Sequence, residues 1–230
     1  MLRVALNFGN RLLAGRDPAG QPVGISVDIA NALAKHMSLG LTFVGYHRAK
    51  DVADTAQSDA WDVCFLAVDP ERAKTLAFSA PYIQIDGSYL AGPRCDVADG
   101  AALIGAGLPI GTVAGSAYGL ALERQLDQAN LVIFDDMRDA LAALDDGTIA
   151  AMSGIRSVMQ REANNRPGAR VLHPPFMQIK QAMAVPINRP NAHAALVAFL
   201  GDLSASGAIA AICERHGMDP GCALPCADAL

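Results

Sequence analysis

The chain has 230 residues, 52% of them hydrophobic and 18% charged, with a net charge of −5. A balance this mildly acidic, with no run of Lys and Arg, argues against a nucleic-acid or anionic-membrane partner. No stretch of about 18 uncharged apolar residues occurs, so no membrane-spanning helix is expected.

The first elements alternate strand and helix. Leu2-Arg-Val-Ala-Leu6 reads as a strand that runs into the turn Asn7-Phe8-Gly9-Asn10, and Asp17-Pro-Ala-Gly20 as a hairpin-like turn. Ile29 to His36 carries apolar residues at helical spacing. Leu41 to Tyr46 is the second strand, a polar helix covers roughly Lys50 to Ser58, and Asp62 to Val68 is an apolar strand. That alternation implies an α/β unit with a largely parallel sheet.

A second unit begins near Gly92. It reads as a strand at Pro109–Val113, a turn at Ala114–Tyr118 and a helix over Gly119–Gln128. Leu131–Phe134 is a strand, and Met137–Leu144 a helix that stops at Gly147. A short strand at Ile149–Met152 and a helix at Ile155–Asn164 follow. Gln181–Pro186 is a further strand, and Ala192–His216 is helical with a break near Gly207. Strand, helix and strand thus occur twice, as in two lobes that face one cleft.

Met1 is followed at once by the first strand, which leaves a removed leader and no leader equally open. The cysteines are Cys64, Cys95, Cys213, Cys222 and Cys226, none in CxxC spacing and none near a histidine in a zinc pattern. Cys64 reads as a buried thiol, and one bridge among the three C-terminal cysteines is conceivable in an oxidising compartment. His36, His47, His173, His193 and His216 show no paired spacing and read as surface residues. No metal and no cofactor is expected.

Three segments carry a resemblance: Gly24-Ile-Ser-Val-Asp-Ile-Ala30, then Trp61-Asp62 leading to Asp69-Pro-Glu-Arg72, then Phe78-Ser-Ala-Pro-Tyr82. Together they resemble family 3 periplasmic solute-binding proteins, the type II fold of polar amino-acid receptors. The resemblance covers nearly the whole chain. It implies two Rossmann-like α/β lobes, residues 1–90 plus 185–230 and residues 91–184, joined by hinge strands near Tyr89–Ala91 and Met183–Val185. It further implies a periplasmic protein, most simply a monomer, that closes on a small organic anion or carboxylate ligand and is recognised by the membrane permease of an ABC importer. A cytoplasmic carrier or regulator stays open.

The candidate ligand-binding residues follow from both lines. Arg72 presents a rigid fork of donors that matches a carboxylate, the role its motif position has in the family; the alternative is a surface ion pair with Glu71 or Asp69. Asp69 is read first as the cap before Pro70, and otherwise as a group that orients Arg72 or binds the ligand. The loop that leads from Ser116 and Ala117 into a helix offers free N–H groups and a hydroxyl to an anion, although Ser116 also suits a plain helix cap. Tyr118 walls the cleft or packs on its helix. Asn7 and Asn10, at the carboxyl end of the first strand, supply amide hydrogen bonds or form a turn.

Two departures from the amino-acid receptors matter. Relatives have a longer Gly- and Thr-containing loop where Phe65 to Asp69 stands. They also place an acid for the ligand's ammonium where this chain has Ile155. A buried ammonium without an anion is costly, so an ordinary α-amino acid is not the expected ligand. Arg156 is read as a solvated helix residue, with a second positive group for an anion as the alternative. Of Gln178, Lys180 and Gln181, alternation puts the first two on one face. No catalytic motif is present, and a dehydratase-like enzyme on the same fold would need an acid where Ile155 stands. The other alternative is a ligand-sensing module.

Overall fold

A computed structural model describes residues 1–126 and 130–226. The chain forms two compact units, one of Met1–Gln84 with the chain from Lys180 onward, the other of Ile85–Ile179. The crossings lie on both strands somewhat earlier than the residues 90 and 184 read from the sequence.

The first unit opens with β1 (Leu2–Asn7), a hairpin of β2 (Gly15–Arg16) and β3 (Pro22–Val23), α1 (Ile25–His36) and β4 (Leu41–Tyr46). It continues with α2 (Ala49–Asp54), β5 (Val63–Ala67), a 3-10 turn at Arg72–Lys74 and β6 (Leu76–Phe78). Strand β1 lies parallel to β4, in register from Leu2 opposite Leu41 to Asn7 opposite Tyr46, and parallel to β5 on its other side. Helix α1 starts earlier than its apolar pattern suggests. Gly24 caps it at φ 127°, where a Cβ would sit 2.5 Å from the Leu13 carbonyl oxygen, so only glycine permits this entry. Asp28 in its first turn and Lys35 and His36 in its last complement the helix dipole.

Strand β7 (Ile83–Ala91) carries the chain into the second unit. There follow α3 (Gly100–Gly105), β8 (Ile110–Val113), α4 (Ala117–Gln125), β9 (Leu131–Phe134), α5 (Met137–Asp146), β10 (Ala151–Ile155), α6 (Arg156–Asn164) and β11 (Arg170–Val171). Strand β8 is parallel to both β9 and β10, while β10 and β11 run antiparallel to β7. Helix α5 ends at Gly147 in the left-handed region, as its sequence suggests. The strand expected at Ile149–Met152 begins later: the Ile149 N–H still donates to the Ala143 carbonyl of α5 at 3.1 Å, and pairing starts at Ala151. The expected end of α4 at Gln128 lies outside the described residues.

Strand β12 (Met177–Pro186) returns the chain, and α7 (Pro190–Ala205) and α8 (Ala208–Arg215) complete the first unit with a 3-10 turn at Pro220–Cys222. Strand β12 is antiparallel to β5 and β6. The sheets are therefore parallel only around β1 and β8, and antiparallel where β6, β7, β11 and β12 join. Gly207, at φ 74°, separates α7 from α8, which bend by 74°. Among the described residues no single helix is long and apolar enough to cross a membrane; α7 and α8 meet the length and composition only as a bent pair.

Each unit has its own core. In the first, Trp61 packs with Ala5, Val52, Cys64, Leu66 and Leu76, small strand residues making room for the indole. The indole N–H donates to Thr55 Oγ1 at 3.0 Å, so the large ring is buried with its polar atom satisfied. In the second, Tyr89 stacks on Phe176 at 4.4 Å, and the buried Ser153 hydroxyl joins β10 to β8 through Gly111 O and Thr112 Oγ1.

Candidate functional site

In the first unit Asn7 and Asn10 lie at and just past the end of β1, and Asp69 and Arg72 follow the end of β5, the strand parallel to it. Asn7 ends β1, and its Oδ1 accepts the Gly9 N–H at 3.0 Å. Asn10 receives the Leu13 and Ala14 N–H groups on its backbone carbonyl, both at 3.0 Å, so the segment is a tight turn. The side-chain oxygen of Asn10 is shielded from solvent and accepts no hydrogen bond among the described residues.

Asp69 does what a cap does: its Oδ1 accepts the Glu71 N–H at 2.9 Å, and its carbonyl accepts from Ala73. Arg72 then opens the 3-10 turn with its side chain directed inward. It is only 4% exposed and donates from Nη1 to the Ala67 carbonyl at 2.9 Å. Burial pulls the guanidinium pKa down from its ordinary value, and the neighbouring Asp69 carboxylate opposes that. Of the surface ion pair considered for Arg72, the surface placement and the Glu71 partner are corrected, whereas Asp69 does face the guanidinium. Glu71 pairs instead with Lys74 at 2.5 Å. The chain folds this way because β5 ends at Ala67 and Asp69-Pro70 immediately bends it, which brings the Arg72 side chain back over the strand end.

Sequence reasoning passed over one exposed cation. Arg16 lies over the Phe8 ring at 4.2 Å and donates to the Gly20 carbonyl at 2.7 Å. Gly45 on β4 allows this, since a Cβ there would stand 2.6 Å from the Phe8 ring and 3.2 Å from Arg16 Nη2. The sequence signal was an aromatic just past a strand end together with an arginine in a hairpin.

In the second unit Ser116 caps α4. Its hydroxyl accepts the Gly119 N–H at 3.0 Å and donates to the Val113 carbonyl at 2.7 Å. Ala117, the first helical residue, is half-buried. Tyr118 is buried, which favours the packing role, and burial pushes its hydroxyl up to about 12 against a hydrogen bond with Ser116.

Ile155 closes β10 and is half-buried. Arg156 begins α6, and its Nη1 lies 3.4 Å from Asp86 Oδ2, an acid on β7 that the sequence reading did not single out. Along β12, Gln178 and Lys180 are exposed and Gln181 is buried, as the alternation requires. His193, read as a surface residue, is part-buried and donates to the Phe78 carbonyl at 2.8 Å. Among the described residues no group of three or more His, Cys, Asp or Glu is placed to hold a metal ion.

The sequence matches the profile of bacterial extracellular solute-binding proteins, family 3, over residues 2–219. The chain belongs to that family. No curated protein sequence matches it. Among solved structures, a mutant of ArgBP from T. maritima superimposes with a TM-score of 0.76 at 19% identity, covering 94% of each chain. A histidine kinase sensor domain with similarity to periplasmic binding proteins gives 0.81 at 18% identity, covering 94% of this chain and 95% of its own. The ancestral amino acid-binding protein AncCDT-1, a precursor of cyclohexadienyl dehydratase, gives 0.77 at 20% identity and 93% of both chains. At such identities the likeness establishes the fold, the type II periplasmic binding protein fold, and nothing finer. This family 3 solute-binding chain has a mixed α/β architecture that its relatives use to hold small ligands.

Proposed function

We propose that this chain is a non-enzymatic receptor of a small carboxylate-bearing solute other than an ordinary α-amino acid, delivering it to the permease of an ABC importer in the periplasm. The observation that carries the receptor reading is the family match over residues 2–219. The ligand class rests on two residues. Arg72 is a desolvated guanidinium at the end of β5, where a charge-assisted bond to a carboxylate is strongest. Ile155 puts an apolar side chain where the amino-acid receptors present an acid, and the nearby Asp86 is engaged by Arg156.

Asn10 adds a specificity element. Its shielded oxygen offers an acceptor to a hydroxyl or amide donor on the ligand. Asn7, Asp69 and Tyr118 then support the turn, the strand end and the α4 cap, while Ser116 and Ala117 present the amino end of α4 to the anion. Ligand capture is by hinge closure.

A thermal-shift screen against amino acids, monocarboxylates, dicarboxylates and aromatic acids tests this, since a ligand that binds the native state raises its melting temperature. Shifts confined to carboxylates without an α-amino group support the reading. A shift with ordinary amino acids overturns the ligand class, and Ile155→Asp then has no reason to widen the profile toward amines. The sensor domain and the dehydratase precursor among the structural neighbours make a sensing module the second reading, and a catalyst the third. Turnover of a cyclohexadienyl acid by the purified chain would establish the last.

A further inference from the structure

Three cysteines lie beyond Gly207 in the chain. Cys213 is in the last turn of α8 and fully buried. The chain then reverses: Gly217 takes φ 70°, and the His216 and Met218 N–H groups both donate to the Cys213 carbonyl, at 3.1 and 2.9 Å. Asp219 caps the next 3-10 turn, its Oδ1 accepting from Gly221 at 2.8 Å and its carbonyl from Cys222 at 3.0 Å. That turn packs back against α8, and its last residue is Cys222, which is half-exposed. The Cys213 thiol is raised to about 11, first by burial and then by Cys222 beside it.

The other cysteines have contacts of their own. Cys226 donates its backbone N–H to Ser204 Oγ at 2.9 Å and directs its sulfur to the Pro81 carbonyl at 3.5 Å. Cys64 is buried within β5, and Cys95 belongs to the second unit.

We propose that Cys213 and Cys222 are a disulfide-forming pair, a redox-dependent staple between α8 and the C-terminal segment. The step is thiol–disulfide exchange with a disulfide-bearing oxidant. The half-exposed Cys222 thiolate attacks the oxidant's disulfide and releases one thiol. Cys213 then displaces the second, so that both protein thiols are oxidised to one S–S bond and the oxidant leaves as two thiols. The staple has a structural object: immediately after Cys222, Ala223 pairs across from Ile83, and the Leu224 N–H donates to the Tyr82 carbonyl at 2.9 Å. Oxidation therefore pins the segment that lies along the start of β7.

The test is peptide mapping of the full chain equilibrated in a glutathione redox buffer, with thiols blocked before trypsin. Cleavage after Arg215 separates the two cysteines, so a bridge appears as one linked peptide pair, and the intact protein is about 2 Da lighter. Reduction should lower the melting temperature of the wild type by roughly 5–10 °C, but leave that of Cys222→Ser unchanged. Cys226→Ser should still form the bridge. Full blocking of both thiols in the oxidised protein, or a Cys213–Cys226 linkage, overturns the proposal.

Discussion

Arg72→Ala removes the cation that balances Asp69 while leaving that carboxylate 3% exposed. Breaking a buried charge pair by deleting one partner costs about 3–5 kcal/mol, because the remaining charge keeps its desolvation penalty. For a chain of this size each kcal/mol lowers the melting temperature by roughly 2–4 °C, so the variant should melt roughly 6–20 °C below the wild type. The bond to the Ala67 carbonyl is lost in the same change. Removing Asp69 as well should recover part of the loss, with a coupling energy of about 1–3 kcal/mol in a double-mutant cycle followed by thermal denaturation. Because alanine here disturbs the fold, ligand affinity is better read on Arg72→Lys, which keeps the charge and loses the planar fork. A melting temperature within a degree or two of wild type for Arg72→Ala, with strictly additive effects for the pair, would refute the balanced buried charge.

Asp62 accepts from Arg3 and Arg189, and the Arg3 hydrogen bond is the main reason its carboxyl is lowered to about 2. A folded value below the ordinary carboxylate range means stability present above about pH 4 and lost as pH falls toward 2, on the order of 1–2 kcal/mol after solvent screening. Asp62→Asn should flatten that part of an acid-denaturation profile; equal acid sensitivity in both proteins would sink the assignment. Gly24→Ala should destabilise by at least about 2 kcal/mol in urea unfolding, since it meets both a φ of 127° and the Leu13 carbonyl at 2.5 Å. Ser116→Ala should cost about 1 kcal/mol as a lost helix cap. If Ser116 serves only as that cap, ligand affinity at a temperature where the variant is fully folded stays at the wild-type value.

Strands β4 and β9 fall where the sequence places them, because each is an apolar run bounded by turn residues and its limits are set locally. Strand β7 was legible only at its end. Ile83-Gln-Ile-Asp-Gly-Ser-Tyr-Leu-Ala alternates at first and then becomes continuously buried, and only the tertiary setting joins the two patterns into one strand. Helix α3 carried a usable signal that went unread. Asp99 caps it by accepting the Ala102 N–H at 2.8 Å, and the Ala101-Ala-Leu-Ile104 run that follows suits a helix.

The site was less legible for a different reason: its charges are set by partners distant in sequence or by burial, and neither is written in a motif. The motif around Arg72 identifies the residue but not that its side chain is 4% exposed. Arg156 was read as solvated, yet it reaches Asp86, 70 positions away in the chain, at 3.4 Å. That pair bears on the proposed ligand class. Ile155 offers an incoming ammonium nothing, and Asp86, the acid close by, already faces a guanidinium. Both partners are partly solvated, so the pair itself contributes little to stability. Its effect on recognition is larger than its strength suggests, because an amino group would have to displace Arg156 before gaining a carboxylate, whereas a ligand without one need displace nothing. On the proposed ligand class, Arg156→Ala should therefore widen the thermal-shift profile toward amine-bearing ligands.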